Sequence, residues 1–364
     1  MPVKLRVAIR SDVESIMRMQ RAAFAAAYRR CGDMYESLER TAARELERAI
    51  GAPGSNCYVI VHAGRDVGMV RVARCGEVAR ISPIFVLPEY WRRGIGARAI
   101  GYMRAMYPDA VCWTLSTMAR DEANRAFYHS LGFECEGDAR PLGSDVELAR
   151  YALSVHAPVR RELAAYVRQE VLPCYNGFDE GHDMFHALNV ISAALELARE
   201  VGEDVNLVYA AAACHDLGLR YGRSEHNLHS GELVRADARL RELLGEAALE
   251  QVARACEDHR ASGSAPRELL GRIIADADRE LEPRRLIYRT LSYGWAHYPE
   301  LNEAQQIQRA IDHLHDKYGQ SGYVRLWLNA GPMQAYRREL LTLLETPERI
   351  ERICAEFMRD ICGG

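Results

Sequence analysis

Ala210-Ala211-Ala212-Ala213-Cys214-His215-Asp216-Leu217-Gly218-Leu219 is the stretch that decides how the second half of this chain folds. A helix that is apolar on every side is a buried helix, and this one runs from about Val205 through the alanines to His215, Asp216 and a Gly218 stop. An imidazole and a carboxylate at the end of a core helix are costly to bury without compensation. A mutual hydrogen bond closing the helix is one compensation. A cation held between them is the other, and the surrounding sequence decides between the two.

Working outward, helix-period segments follow one another from Pro158 to about Arg359. They predict an all-α domain over 155–364. Before Ala157-Pro158 the pattern is different. Strand-like runs at Leu5–Ile9, Cys57–His62, Val67–Ala73, Ala79–Leu87, Ala110–Ser116 and Val146–Leu153 alternate with helical segments, including Met34–Ile50 and Glu122–Leu131. Residues 1–154 are therefore expected to form an α/β domain, a mixed sheet with flanking helices.

The length of 364 residues agrees with two domains. A formal net charge of -4 creates no global field toward nucleic acid or an anionic membrane. Hydrophobic residues at 48% and charged residues at 27% describe a globular chain. Met1-Pro2-Val3-Lys4-Leu5-Arg6 lacks the apolar run of a signal peptide, and no stretch has the apolar length of a membrane span. The ten cysteines include no C-x-x-C pair, which suits reduced thiols in a cytoplasmic protein.

Strand, glycine-rich turn and helix together form a phosphate site, because unpaired N–H groups and the helix dipole face an anion. Gly94 and Gly96 allow close approach there, and Arg92 and Arg93 add charge. Ile84-Phe85-Val86-Leu87-Pro88-Glu89-Tyr90-Trp91-Arg92-Arg93-Gly94-Ile95-Gly96-Ala97, with Asn124 to Phe133 downstream, resembles the acetyl-CoA-binding core of the GNAT N-acetyltransferases. The resemblance covers essentially residues 1–152. It implies acetyl-CoA as cofactor, with the backbone at Val86 along the pantetheine arm. The amides of Arg92, Arg93, Gly94, Ile95, Gly96 and Ala97 would hold the pyrophosphate, and Asn124 would contact the cofactor. Tyr128 stands where that family often keeps a general acid for the leaving thiolate, an aromatic packed under the sheet being the alternative. Glu89 and Glu122 are candidate bases. Trp91 departs from the Gln or Arg that family usually places three residues before the first glycine.

In the second domain His186 opens a helix on the face of Val190, Ala194 and Leu197, and Asp276 lies in the apolar run Ile273-Ile274-Ala275-Asp276-Ala277. With His215 and Asp216 they make ligand-type residues on three predicted helices, each in an apolar setting, which favours the cation reading. The order His…His-Asp…Asp, with Gly181-His182-Asp183-Met184-Phe185-His186 and Asp276-Ala277-Asp278-Arg279, resembles the HD superfamily of metal-dependent phosphohydrolases. That implies a divalent transition metal held by His186, His215, Asp216 and Asp276. Mixed imidazole and carboxylate ligands suit Mn, Fe, Co, Ni or Zn. Members with two extra histidines hold a second ion; His226, with His229 as the alternative, and His259 align with them. Asp216 also carries the catalytic role as ligand or bridge. Asp183, Asp258 and Asp278 are candidate orienters, and Arg220, Arg223 or Arg260 candidate phosphate partners in place of the lysine that often follows the dipeptide. His313 and His315, two apart, are not expected to form a joint site, and Arg284 and Arg285 are expected to be solvated.

The expected function is a bifunctional enzyme: an acetyl-CoA-dependent N-acetyltransferase and a metal-dependent hydrolase of a small phosphoester or nucleotide. The alternative makes the first domain a non-catalytic acetyl-CoA sensor regulating the hydrolase. Expected partners are a small-molecule amine and a phosphorylated small molecule or nucleotide, with no nucleic acid and no membrane; a homo-oligomer is left open.

Overall fold

The computed structural model describes residues 3–31, 43–50, 52, 55–141, 147–179, 181–260, 265–279, 283–328 and 331–362. The start of the helix expected from Met34, the first residue of the strand expected from Val146 and the tail of the Glu257–Ser262 stretch lie outside these. The chain divides into two compact units, 2–164 and 165–364. The division falls inside a short helix, α4 (Arg161–Tyr166), ten residues beyond the boundary expected at 154/155.

The first unit is a seven-stranded sheet in the order β1-β2-β3-β4-β5-β7-β6. Its strands are β1 (Val3–Val7), β2 (Ser55–His62), β3 (Arg65–Cys75), β4 (Val78–Val86), β5 (Cys112–Met118), β6 (Glu134–Pro141) and β7 (Glu147–Ser154). Every pairing is antiparallel except β4 with β5. Ala63 and Gly64, both at positive φ, make the two-residue turn that pairs His62 with Arg65. Such turns match the twist of the strands they join. Helix α1 (Val13–Cys31) packs Ile16, Met17 and Met19 against Cys57, Val59, Met69 and Phe85. Helices α2 (Ile95–Met106) and α3 (Glu122–Ser130) follow β4 and β5.

The parallel pairing of β4 with β5 is short. It joins Val78 to Cys112, Ala79 to Trp113 and Arg80 to Thr114 and then stops, although β4 continues to Val86 and β5 to Met118. Beyond that point the strands splay, and one edge of β4 is left open. β6 was not expected from the sequence: its residues, Glu134 to Pro141, are mostly exposed and lack the apolar alternation that marks a strand. It lies at the sheet edge, where an exposed strand is tolerated.

The second unit is helical. Its main elements are α5 (Met184–Val201), α6 (Val205–Cys214), α7 (His226–Ala236), α8 (Ala238–Leu244), α9 (Glu246–Asp258), α10 (Leu269–Ala277), α11 (Pro283–His297), α12 (Glu303–Tyr318), α13 (Gly331–Leu344) and α14 (Pro347–Cys362). In α6 every residue from Val208 to Cys214 is buried, as a helix apolar on all sides must be. Helices α5, α9 and α10 surround it. The turn after it approaches α7 so closely that a Cβ on Gly218 would overlap the His226 carbonyl, and the Gly218 N–H donates to Ser230 Oγ. Gly218 thus serves close packing; it is not the expected helix stop, since the helix ends at Cys214 and Gly218 lies within the 3₁₀ turn Leu217–Tyr221. The helix-period stretch expected over Gly331–Arg359 is two helices, interrupted before Pro347, whose ring forbids helix continuation but suits a helix start. Leu286, Ile287, Leu291, Leu314, Leu340 and Ile353 are among the residues that build a core for α11 to α14. Among the described residues no helix is long and apolar enough to cross a membrane.

Candidate active sites

In the first unit the splay places open backbone beside a helix start. Leu87 N–H donates to Val67 O, so the carbonyl of the preceding residue, Val86, points away from β3 toward the open side. There it accepts a hydrogen bond from the Trp91 indole, Nε1 to O 2.7 Å. After Trp91, Arg92 and Gly94 both take positive φ, and Gly94 is the residue before α2. No side chain caps α2. The N–H groups of Ile95, Gly96 and Ala97 lie in its first turn, where no carbonyl of the helix itself can reach them. Arg93 lies over the Tyr90 ring, 5.5 Å from its centroid.

Asp121 caps α3, accepting from Asn124 N–H and from Asn124 Nδ2, each at 3.0 Å. Tyr128 is buried on the next turns against Phe127, Phe133 and Tyr151. Burial, with the negative charge of Asp121, pushes its phenol up to about 12. Tyr128 therefore carries its proton throughout the neutral range and is a packed aromatic. Glu89 and Glu122 are exposed.

In the second unit the ligand-type side chains meet at helix ends. His186 is in the first turn of α5, whose cap Asp183 accepts from the N–H groups of Phe185 and His186. His215 follows the last residue of α6, His226 is the first of α7, His259 follows α9, and Asp278 follows α10. Their donor atoms form two groups, each with atoms within 4.8 Å of one another: His186, His215 and Asp278, and then Asp216, His226 and His259. Asp216 joins the groups. Its Oδ2 is 3.2 Å from His215 Nε2 and 3.5 Å from His186 Nε2, while its Oδ1 is 3.4 Å from Nε2 of both His226 and His259.

The imidazoles are aimed by backbone. Nδ1 of His215 lies 2.9 Å from Ala212 O, that of His226 3.0 Å from Arg223 O, and that of His259 2.6 Å from Cys256 O. A carbonyl only accepts, so each Nδ1 carries the hydrogen and Nε2 is left as the free electron pair of the neutral ring. Yet His226 Nε2 and His259 Nε2 stand 3.2 Å apart, and His186 Nε2 and His215 Nε2 3.3 Å apart. Facing lone pairs at this distance call for positive charge between them. Burial opposes charge on His215 and His186, but Asp216 and Asp278 outweigh it and raise both imidazoles above their ordinary range. The hydrogen bond to Asp216 raises His226 likewise. Burial works against Asp216 and Asp278 too, and the histidines still hold both carboxyls well below the usual carboxylate range.

Asp276 is not among these groups. Its buried carboxylate accepts from Trp327 N–H at 3.0 and 2.9 Å and from Leu328 N–H at 2.8 Å. Burial raises it, opposed by those N–H groups and by Arg279. The carboxylate beside the histidines is Asp278, with Oδ1 3.0 Å from His186 Nε2. The expectation of Asp276 as the ligand is corrected accordingly. Residues two apart on a helix face opposite ways, and the apolar run around Asp276 marked burial without saying what satisfies it. One signal pointed to Asp278: it ends its helix, as His215 and His259 end theirs.

Around the centre, Asp179 accepts from His182 Nδ1 and Arg223 Nη2, and the His182 and His186 ring centroids lie 5.7 Å apart. Arg220 donates to Leu217 O, and Arg260 is close enough to His226 to oppose its protonation. Asp258 holds Arg267 instead of a ligand. His229 pairs with Glu232. His313 and His315 join neither group. Arg284 is engaged by Glu356 at 2.8 Å and lies over the Phe357 ring.

A splayed mixed sheet with an open helix start, followed by a helical unit gathering histidines and aspartates at helix ends, defines an acetyltransferase-type domain joined to an HD-type domain. Family comparison agrees: the acetyltransferase (GNAT) domain matches residues 53–135 and the HD domain residues 184–281. The chain thus carries a GNAT acetyltransferase domain within its first unit and an HD domain within its second. It is 30% identical over 128 residues to the uncharacterized protein YrkN of Bacillus subtilis, which spans 35% of this chain and 69% of that protein. Similar solved structures include the PaiA N-acetyltransferase of Thermoplasma acidophilum in complex with coenzyme A (15% identity, 41% of this chain and 98% of that one, TM-score 0.37). The ribosomal-protein-S18-alanine N-acetyltransferase of Escherichia coli is another (17% identity, 44% and 98%, TM-score 0.35).

Proposed function

We propose that this chain is a bifunctional enzyme, an acetyl-CoA-dependent N-acetyltransferase joined to a divalent-metal-dependent hydrolase of a small phosphoester or nucleotide. The observation that carries the hydrolase half is Asp216, each of whose oxygens faces a different set of inward-turned imidazole nitrogens. That donor set fits a pair of transition-metal ions, one with His186, His215 and Asp278 and one with His226 and His259, Asp216 serving both. Bound there, such ions supply Lewis acidity toward a phosphoryl oxygen and a water acidic enough to act as hydroxide near neutral pH. The chain's own contribution is orientation: backbone carbonyls fix three imidazoles, and Asp183 fixes the start of the helix bearing His186. Arg260 and Arg223 add positive charge at the rim for an anionic substrate.

In the acetyltransferase half the first-turn amides of α2 and the charges of Arg92 and Arg93 suit a pyrophosphate. The open Val86 edge suits an amide-bearing arm, Asn124 lies at the start of α3 for a cofactor contact, and Tyr128 holds a proton for a leaving thiolate. Trp91 makes one element of this reading measurable. Its indole occupies the Val86 carbonyl, so the cofactor arm must displace it. Trp91→Phe is expected to tighten acetyl-CoA binding about five- to tenfold, since a net hydrogen bond is worth about 1 kcal/mol. Calorimetry measures it, and weaker binding would show that the indole contacts the cofactor directly.

The test of the whole reading uses the purified full chain. Elemental analysis should find divalent metal that is depleted in His215→Ala; equal content in both would sink the hydrolase half. Thiol release from acetyl-CoA over an amine panel should reveal turnover. The Trp91 contact also favours a second reading, in which the first unit senses acetyl-CoA; a thermal shift by CoA with no turnover on any amine would select it.

A further inference from the structure

Between the end of α12 and the face of α13 lies a cavity of about 350 Å³ that is separate from the histidine centre. Its outer wall is an irregular strap, residues 319–328. Tyr336 and Leu340, 5% and 2% exposed, are part of its floor. Tyr318 and Trp327 add aromatic surface to the lining, and Arg325 and Arg337 add two guanidinium groups. Neither arginine makes an ion pair among the described residues. Aromatic side chains and two exposed guanidinium groups on one lining, with Lys317 over the Tyr318 ring, suit a flat ring carrying an anion. The volume lies at the lower end of the small-molecule range.

The strap is fastened along its length, Gln320 Nε2 donating to Glu345 at 2.7 Å near its start. Val324 N–H donates to Lys317 O at 3.1 Å, and the Trp327 and Leu328 N–H groups donate to Asp276. Asp276 is fully buried. It belongs to α10, the helix that ends on Asp278, whose carboxylate is 3.0 Å from His186 Nε2. One helix end therefore holds the wall of the cavity with one carboxylate and faces the histidine centre with the next.

We propose that this cavity binds a nucleoside monophosphate, its base among Tyr318, Trp327 and Tyr336 and its phosphate on Arg325 and Arg337, and that occupancy is transmitted to the histidine centre through Asp276. A doubly charged phosphate can engage both guanidiniums at once, and the base fills the space that a free phosphate would leave. Binding at the cavity does not require the hydrolase reading, since the site lacks the centre's residues; the transmission rests on the metal-site part of that reading.

The test is intrinsic fluorescence of the full-length protein titrated with AMP, GMP, adenosine, ribose 5-phosphate and benzoate, with Trp327→Phe as the signal control. AMP or GMP should quench saturably and the signal should vanish in Trp327→Phe. Affinity should fall at least about tenfold in the Arg325→Ala/Arg337→Ala variant, whose changes are at exposed side chains and should leave the melting temperature in place. Saturable binding should persist in His215→Ala, shifted by no more than the several-fold that coupling to the other centre allows. Absence of saturable binding, binding indifferent to the two arginines, or binding lost in His215→Ala would each overturn the site. Equal binding of adenosine would overturn the phosphate contact, and equal binding of benzoate or ribose 5-phosphate would overturn the nucleotide class. For the coupling, Mn²⁺ affinity measured with and without AMP should differ several-fold in wild type and be insensitive to AMP in Asp276→Asn; an unchanged Mn²⁺ affinity in wild type would overturn transmission through Asp276.

Discussion

Asp216→Asn is expected to weaken divalent metal binding at both ligand groups, with affinity falling by more than about 100-fold at the one its N–H₂ group faces. The argument is geometric. Asp216 Oδ2 lies near His186 and His215, and Oδ1 lies near His226 and His259. An amide presents one oxygen and one N–H₂ group, so at least one set of imidazoles would face a donor where it now faces an acceptor. His226→Ala removes one imidazole from one group and should lower the stoichiometry by about one ion, leaving His186, His215 and Asp278 intact. Metal stoichiometry by elemental analysis across the wild type and the two variants distinguishes the cases. Identical losses in both variants would mean that the two groups do not bind independently, and no loss in Asp216→Asn would exclude its bridging role.

Tyr128→Phe is expected to slow acetyl transfer by about 100- to 10,000-fold if the phenol protonates the leaving thiolate. The substitution keeps the ring that packs on Phe127, Phe133 and Tyr151 and deletes one oxygen, so the fold is expected to survive. A rate unchanged in Tyr128→Phe would make the residue a packing aromatic alone. The pH profile gives a second readout. Burial and Asp121 raise the phenol to about 12, so it remains protonated well above neutrality and loses its proton only as pH passes that value. The acetyltransferase rate should therefore show no alkaline decline from this group between pH 7 and about 10. A descending limb in that interval that disappears in Tyr128→Phe would contradict the assigned environment.

Much of the architecture was readable in the chain because it rests on periodicity. The change from alternating to helical patterning near Ala157 marks two units, and a helix with no polar face, Val205–Cys214, lies at the centre of the second. What escaped detection follows from chemistry that periodicity does not carry. β6 is exposed along nearly its whole length, alternates charged with small residues, and is held by pairing with β7. Asp276 and Asp278 are indistinguishable by composition; beyond the helix-end position of Asp278, it is the distant strap at Trp327 and Leu328 that shows which carboxylate is spoken for. The Trp91 contact is similar, since a departure from a family pattern is visible in sequence but its hydrogen-bond partner is not. His226 and His229 are both on one helix, and only the fold places His226 opposite His259 while His229 turns to Glu232.

The three imidazoles of His215, His226 and His259 are steered by the main-chain carbonyls of Ala212, Arg223 and Cys256. In metal sites where a carboxylate side chain performs this task, a single codon change can release the ring. Here none can, because every amino acid brings the same carbonyl. A saturation mutagenesis map should consequently be sharp: intolerant at the histidines themselves, permissive at Ala212 and Cys256 toward any residue that keeps the local helix and fits its space. Their aim is thus inherited from where helices stop, and drift in the neighbouring side chains leaves it unaltered.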